Sequence, residues 1–195
     1  MVEVTGFTGA MLPAAGEIAL RLWGNEVANM PQMYRPAIYS YLVHYYYDPQ
    51  SVYNLAVLEN GSLQALLLAS VDPPEPLEAW RFLQDSLPAA GVDYALSYRR
   101  YLDGNRHLED TFKLENEAVL LFFASIQPGC GRLLMENFTR LARQNDLDSM
   151  LLWTDNTCNY QYYFDHGFQL LHRQTAEPGL LDMDLETLIF RRKFC

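Results

Sequence analysis

A chain of 195 residues, half of them hydrophobic, is long enough to bury a sizeable core in one domain and short for two. Its 24 acidic and 14 basic residues give a formal charge of −10, which argues against nucleic acid or an anionic membrane as partner and is compatible with a cationic amine. No apolar run approaches a membrane span, residues 1–12 lack the basic start and apolar core of a leader, and Cys130, Cys158 and Cys195 show no CxxC spacing. A reduced, cytoplasmic protein without a disulfide framework or a metal site is therefore expected.

In chain order, residues 3–7 read as a first strand. Pro13 then opens a helix with Ile18, Leu22 and Trp23 facing inward, ending within residues 25–31. A second helix is expected over residues 36–47. Residues 34–53 hold seven tyrosines, including Tyr45, Tyr46 and Tyr47. His44 beside them reads as an ordinary surface or core histidine. Residues 53–58 and 63–71 flank Glu59, Asn60, Gly61 and Ser62, and Asn-Gly between two apolar runs is a strong hairpin signal. A proline-rich loop follows, and Leu77, Trp80, Leu83 and Leu87 predict another helix.

Residues 118–125 form a nearly unbroken apolar run, as in a strand covered on both faces. Pro128, Gly129 and Gly131 come next, and then Leu134, Phe138, Leu141 and Ala142 recur at helical spacing up to residues 144 and 145. Such a turn, at the positive end of a new helix, suits a phosphate or pyrophosphate, and equally a tight connection with no ligand. No Lys-Ser or Lys-Thr follows as a P-loop requires, and Leu134 stands where a dinucleotide fingerprint needs its third glycine. Residues 149–154 read as a second strand, parallel to the first because a helix joins them. Asp155, Asn156 and Thr157 are capping candidates for a helix of about two turns carrying Tyr160, Tyr162 and Tyr163, closed by Gly167. Residues 168–173 and 188–194 read as strands around a turn at Glu177, Pro178 and Gly179.

Residues 118–168 resemble the cofactor half of the GNAT superfamily of acetyl-CoA-dependent N-acetyltransferases. Its pattern is a strand, a Gln/Arg-x-x-Gly-x-Gly/Ala loop opening a helix, a strand, and Asn-x-x-Ala-x-x-Phe-Tyr-x-x-x-Gly-Phe. Gly129 and Gly131 match the loop glycines, Asn156 the asparagine, Tyr163 the tyrosine, and Gly167 and Phe168 the closing pair. Ile126 occupies the Gln/Arg position, with Gln127 one place late, and Pro128 removes a loop amide; Asn159 replaces the alanine and Tyr162 the phenylalanine.

The resemblance implies an α/β (α+β) fold: a mixed, mostly antiparallel central sheet with two splayed parallel strands and helices on both faces, as one domain over residues 1–195. Residues 72–116 exceed the family's usual link and read as a helical insertion over the acceptor end. Acetyl-CoA as cosubstrate would seat its pyrophosphate on Gly129, Cys130, Gly131, Arg132 and Leu133 and its thioester against Phe123, Ala124 and Ser125. Asn156 would bond the pantetheine or its neighbouring backbone, and Tyr163 would protonate the departing thiolate. Glu117 or Glu115, through water, is the candidate base. The tyrosines of the first two helices would line an acceptor pocket or simply pack. The acceptor would be a small-molecule or protein amine, and a homodimer is left open. A catalytically inactive acyl-CoA sensor on the same fold is the alternative. A thiol hydrolase using Cys158 and His166 is disfavoured, since residues eight apart across a short helix point differently.

Overall fold

The computed structural model describes residues 1–24, 30–175 and 185–194. Its strands are β1 (Val2–Gly6), β2 (Leu55–Glu59), β3 (Ser62–Ser70), β4 (Glu117–Ser125), β5 (Ser149–Asp155), β6 (Gln169–Thr175) and β7 (Glu186–Lys193). They form one sheet in the order β1-β2-β3-β4-β5-β7-β6, antiparallel at every junction except β4 with β5. The helices are α1 (Leu12–Trp23), α2 (Arg35–Tyr46), α3 (Leu77–Ser86), α4 (Ala89–Phe112), α5 (Cys130–Gln144) and α6 (Gln161–Asp165).

Both faces of the sheet are covered. In β3 the alternation of side chains sends Leu66 and Leu68 to the layer of α1, α2, α3 and α4, where Ile18, Ile38, Leu83 and Leu102 meet them. Ala65, Leu67 and Ala69 face the layer of α5, whose Leu134, Met135 and Phe138 lie on its buried stripe. A strand buried on both sides has no polar face to show, so it reads as a continuous apolar run.

The Asn-Gly hairpin forms between β2 and β3, with Asn60 and Gly61 both left-handed at φ 52° and 80°. The expected inward positions shift in two helices. Leu22 is 38% exposed and Leu77 61%, while Ala15, Ile18 and Ala19 carry the buried face of α1 and Ala79 and Leu83 that of α3. The helix after β5 is little more than one turn, and Tyr160 rather than an Asp, Asn or Thr stands at its N-cap, without a side-chain cap. The turn expected at 177–179 lies outside the described residues.

Two helices occupy residues 72–116, and α4 runs along β5. Tyr101 Oη donates to Asp155 Oδ2 at 2.9 Å, and Thr187 Oγ1 of β7 donates to Asn105 Oδ1 at 2.6 Å. At the start of β4, Glu117 is fully buried. It takes Arg191 Nε at 2.6 Å and Nη2 at 3.0 Å, Ser149 Oγ at 2.6 Å and the Leu114 amide at 3.0 Å. One carboxylate thus ties β4, β5 and β7 together at one end.

Candidate active site

Strands β4 and β5 come apart at their other end. They are paired at Glu117 with Ser149, Ala118 with Met150 and Val119 with Leu151, and no further. Beyond these pairs, residues 120–125 of β4 and 152–155 of β5 face each other without a ladder. The cause lies on the far side of β4. Leu68 pairs with Phe122 and Ala69 with Leu120, so Leu121 is an extra residue opposite β3. A bulge of this kind bends its strand and increases the local twist. It falls just after the last pair with β5, and β4 leaves its neighbour there.

The gap opens into a cavity of about 870 Å³ that passes from one face of the sheet to the other. On the α5 side it meets Phe123, Gly129, Gly131, Arg132, Tyr162 and Tyr163; on the other it meets α1, α2 and α4. Phe123, Ala124 and Ser125 all line it, with Ala124 in the core of the α1–α4 layer and Phe123 packed on that of α5. Ser125 Oγ donates to the Gln127 carbonyl at 2.9 Å.

The two loop glycines serve different ends. Gly129 is left-handed, φ 86°, a conformation open to glycine at little cost. Gly131 is not: a Cβ there would stand 3.2 Å from Phe123 Cζ and 3.5 Å from Ser125 Cβ, so its smallness admits the Phe123 ring. The Cys130 amide already donates to the Gln127 carbonyl at 3.3 Å and the Leu133 amide to the Gly129 carbonyl at 3.1 Å. The Cys130 side chain is in the core, its thiol pushed up by burial and then by Glu59, and neither Cys130 nor Leu133 lines the cavity. The amides of Gly129, Gly131 and Arg132 have no backbone acceptor among the described residues. The exposed Arg132 guanidinium pairs with Glu136 at 3.7 Å.

Tyr163 lines the cavity from α6, its ring edge-on to Phe168 at 5.1 Å and tilted on Phe190 at 5.5 Å. Burial pushes its phenol well up, with smaller contributions from Cys158 and Tyr162. Tyr162, expected only as a replacement for phenylalanine, brings a second phenol. Its Oη is buried and has no hydrogen-bond partner among the described residues, and its ring lies 5.8 Å from that of Phe123. Asn156 is engaged elsewhere: its Oδ1 accepts the Glu186 amide at 3.0 Å, its own amide donates to the Glu186 carbonyl at 3.1 Å, and it is not on the cavity wall.

Glu117 cannot serve as the base expected of it, because it lies at the closed end of the sheet with its oxygens already taken. His166 has its Nδ1 2.7 Å from the Tyr162 carbonyl and stacks on the Tyr162 ring at 3.9 Å; Cys158 lines the cavity and His166 does not. The tyrosines of α2 divide. Tyr39 and Tyr46 line the cavity, while Tyr45 donates to Asp103 Oδ1 at 2.7 Å and Tyr41 packs edge-on to Trp80 at 6.2 Å. His44 stacks on Phe82 at 4.1 Å, its pKa lowered by burial.

No protein-family model and no curated protein matches the chain. Solved structures do. The ribosomal-protein-S18-alanine N-acetyltransferase of Escherichia coli superposes with a TM-score of 0.57 at 14% identity, over 100% of this chain and 94% of that one. PaiA N-acetyltransferase of Thermoplasma acidophilum, crystallised with coenzyme A, gives 0.57 at 10%, over 99% of each chain. An acetyltransferase of the GNAT family from Staphylococcus aureus gives 0.56 at 12%, over all of both. The fold of this chain is therefore the GNAT acetyltransferase fold, as the resemblance of residues 118–168 led one to expect. Among the described residues no helix is long and apolar enough to cross a membrane, and no group of three or more His, Cys, Asp or Glu is placed to hold a metal ion.

Proposed function

We propose that this protein is an N-acetyltransferase that moves an acetyl group from acetyl-CoA to a primary amine by direct attack. The observation that carries the reading is the unpaired length of β4 and β5 opening on the cavity. Backbone groups at a strand edge need partners, and the two amides of a pantetheine arm can supply them as a short added strand would. The free amides of Gly129, Gly131 and Arg132 at the start of α5 suit the pyrophosphate. A volume of about 870 Å³ accommodates the arm together with a small acceptor.

The amine nitrogen attacks the thioester carbonyl, forming a C–N bond and a tetrahedral oxyanion. Amides of β4 near Phe123 to Ser125 stabilise the oxyanion, since preorganised donors act most strongly where charge develops. The intermediate collapses by breaking the C–S bond: the thiolate takes the Tyr163 proton, the nitrogen's extra proton passes to water, and the Tyr163 phenolate is protonated again from water. A reduced, cytoplasmic setting belongs to the same reading, supported by Cys130 and Cys158, neither of which is in a disulfide among the described residues.

Thermal unfolding with and without acetyl-CoA tests the reading. Ligand at a hundredfold over its dissociation constant adds about 2.7 kcal/mol, and thiol release with an amine present reports turnover. Stabilisation without thiol release from any amine favours a non-catalytic acyl-CoA-binding module; no stabilisation ends both readings.

A further inference from the structure

The cavity is one continuous space whose two sides are built differently. On the α5 side stand Arg132 and the amides at the head of that helix. On the other, Trp23, Tyr39, Leu42, Tyr46, Leu102 and Trp153 enclose a chamber of aromatic and aliphatic surface. The polar groups near it are turned away. Tyr39 Oη donates to the Trp23 carbonyl, Tyr101 Oη donates to Asp155 Oδ2 at 2.9 Å, and the Tyr46 hydroxyl is itself buried out of reach. Tyr98 brings one more phenol, kept neutral because burial pushes its pKa up. Tyr101 begins a row of polar side chains one turn apart on α4, continued by Asn105 and Glu109. Asn105 accepts from Thr187, and Glu109 is 2% exposed and off the cavity wall. Among the described residues, the charged side chains of the whole wall are those of Arg132 and Asp155. Asp155 has Oδ1 taken by the Thr157 amide and hydroxyl and Oδ2 by Tyr101.

We infer that this chamber takes the acyl chain of the CoA thioester, and that the chain is apolar and longer than acetyl. The inference rests on the acetyltransferase reading and widens its donor to short- and medium-chain acyl-CoA; the bonds made and broken are unchanged. The chemistry of the wall selects the occupant. An ammonium or carboxylate carried into the chamber would give up its water for a surface with no charge to pair it, a cost that an alkyl chain does not meet. Position selects it too, because the chamber begins where the thioester would lie. Along β4, Phe123 packs toward α5, while Phe122, Ala124 and Ile126 belong to the layer of α1 to α4. Ala124 is the small residue of that file, so the strand leaves room beside the carbonyl for whatever is joined to it. The acceptor amine, a polar group arriving from water, meets instead the loop after β5, where Thr157 and Asn159 are on the wall.

Calorimetric titration of the protein with CoA, acetyl-CoA, butyryl-CoA and hexanoyl-CoA, with no amine present, tests this. Affinity is expected to rise about threefold for each added methylene, so that hexanoyl-CoA binds about tenfold or more tighter than acetyl-CoA. Leu42→Trp, which fills the chamber from α2, should remove that gain while acetyl-CoA binds as it does to the wild type. Leu42→Gln, closer to the native volume, should lower the gain by setting an amide against the chain. A gain below about tenfold in the wild type, or one undiminished in whichever of the two variants still unfolds cooperatively, overturns the inference. If CoA itself does not bind the wild-type protein, the acetyltransferase reading fails and the inference falls with it.

Discussion

Val119 on β4 and Leu151 on β5 are the last residues at which the two parallel strands are partners, and the bulge residue Leu121 follows two places later. The bent strand gives the sheet a closed end, at Glu117, and an open end, where the cavity passes through it.

Tyr163→Phe should lower the rate of thiol release about tenfold or more with CoA affinity little changed, because the proposed mechanism calls on the hydroxyl only as sulfur departs. Since burial raises the Tyr163 pKa, the phenol stays protonated throughout the neutral and mildly alkaline range. The pH–rate profile should therefore show no descending limb from this group below about pH 10. Tyr162→Phe is the comparison. If it removes the activity and Tyr163→Phe does not, the proton comes from the neighbouring phenol.

The two glycines should separate by experiment. Gly129→Ala puts a Cβ on a left-handed residue with open space around it, and should cost about 1–2 kcal/mol in urea unfolding. Gly131→Ala instead pushes the Phe123 ring toward the gap. Its signature should be weaker CoA binding, read by titration, with a stability loss of about 1 kcal/mol.

Arg191→Ala would leave the fully buried Glu117 without its bidentate partner. A loss of about 3–5 kcal/mol is expected in denaturant unfolding, recovered in large part when Glu117 is also made apolar. A loss below about 1 kcal/mol, the scale of surface pairs, would show that the clasp does not hold the closed end.

Glu109 should oppose folding at neutral pH. Its folded pKa is raised above the ordinary value of 4.5, so the folded chain holds a proton that the unfolded chain releases. The stabilising contribution of that proton is fully present below about pH 4.5 and is lost as pH rises toward the folded pKa. Glu109→Gln should accordingly melt higher than the wild type at pH 8, by a margin that narrows toward pH 5, as scanning calorimetry would show. An equal margin at both values would contradict the assigned burial effect.

What could be read from the sequence was local. The Asn60-Gly61 turn, the Gly129 turn and the register from Asn156 to Phe168 are set by neighbours in the chain, and they form where expected apart from the shorter α6. The bonds between Asn156 and the Glu186 backbone were not legible, because Glu186 lies 30 residues away on a strand whose register no local pattern sets. The bulge at Leu121 has no local signature, since an unbroken apolar run looks the same with or without an extra residue. The row on α4 did leave a trace. Tyr101, Asn105 and Glu109 recur every four residues on one helical face, but the partners of the first two lie 54 and 82 residues away, so the spacing alone says nothing of what they bond.

The helical pair α3 and α4 leaves the sheet after Ser70 and returns to it before Val119, and these two residues are themselves cross-strand partners. Such a segment has its entry and exit side by side, as a plain hairpin turn would, and can be exchanged like a cassette without altering any strand register. It also carries Tyr98, Tyr101 and Glu109. One contiguous piece of chain thus carries part of the cavity wall, the rest coming from α1, α2 and β5, and it is separable by grafting from the turn at the head of α5.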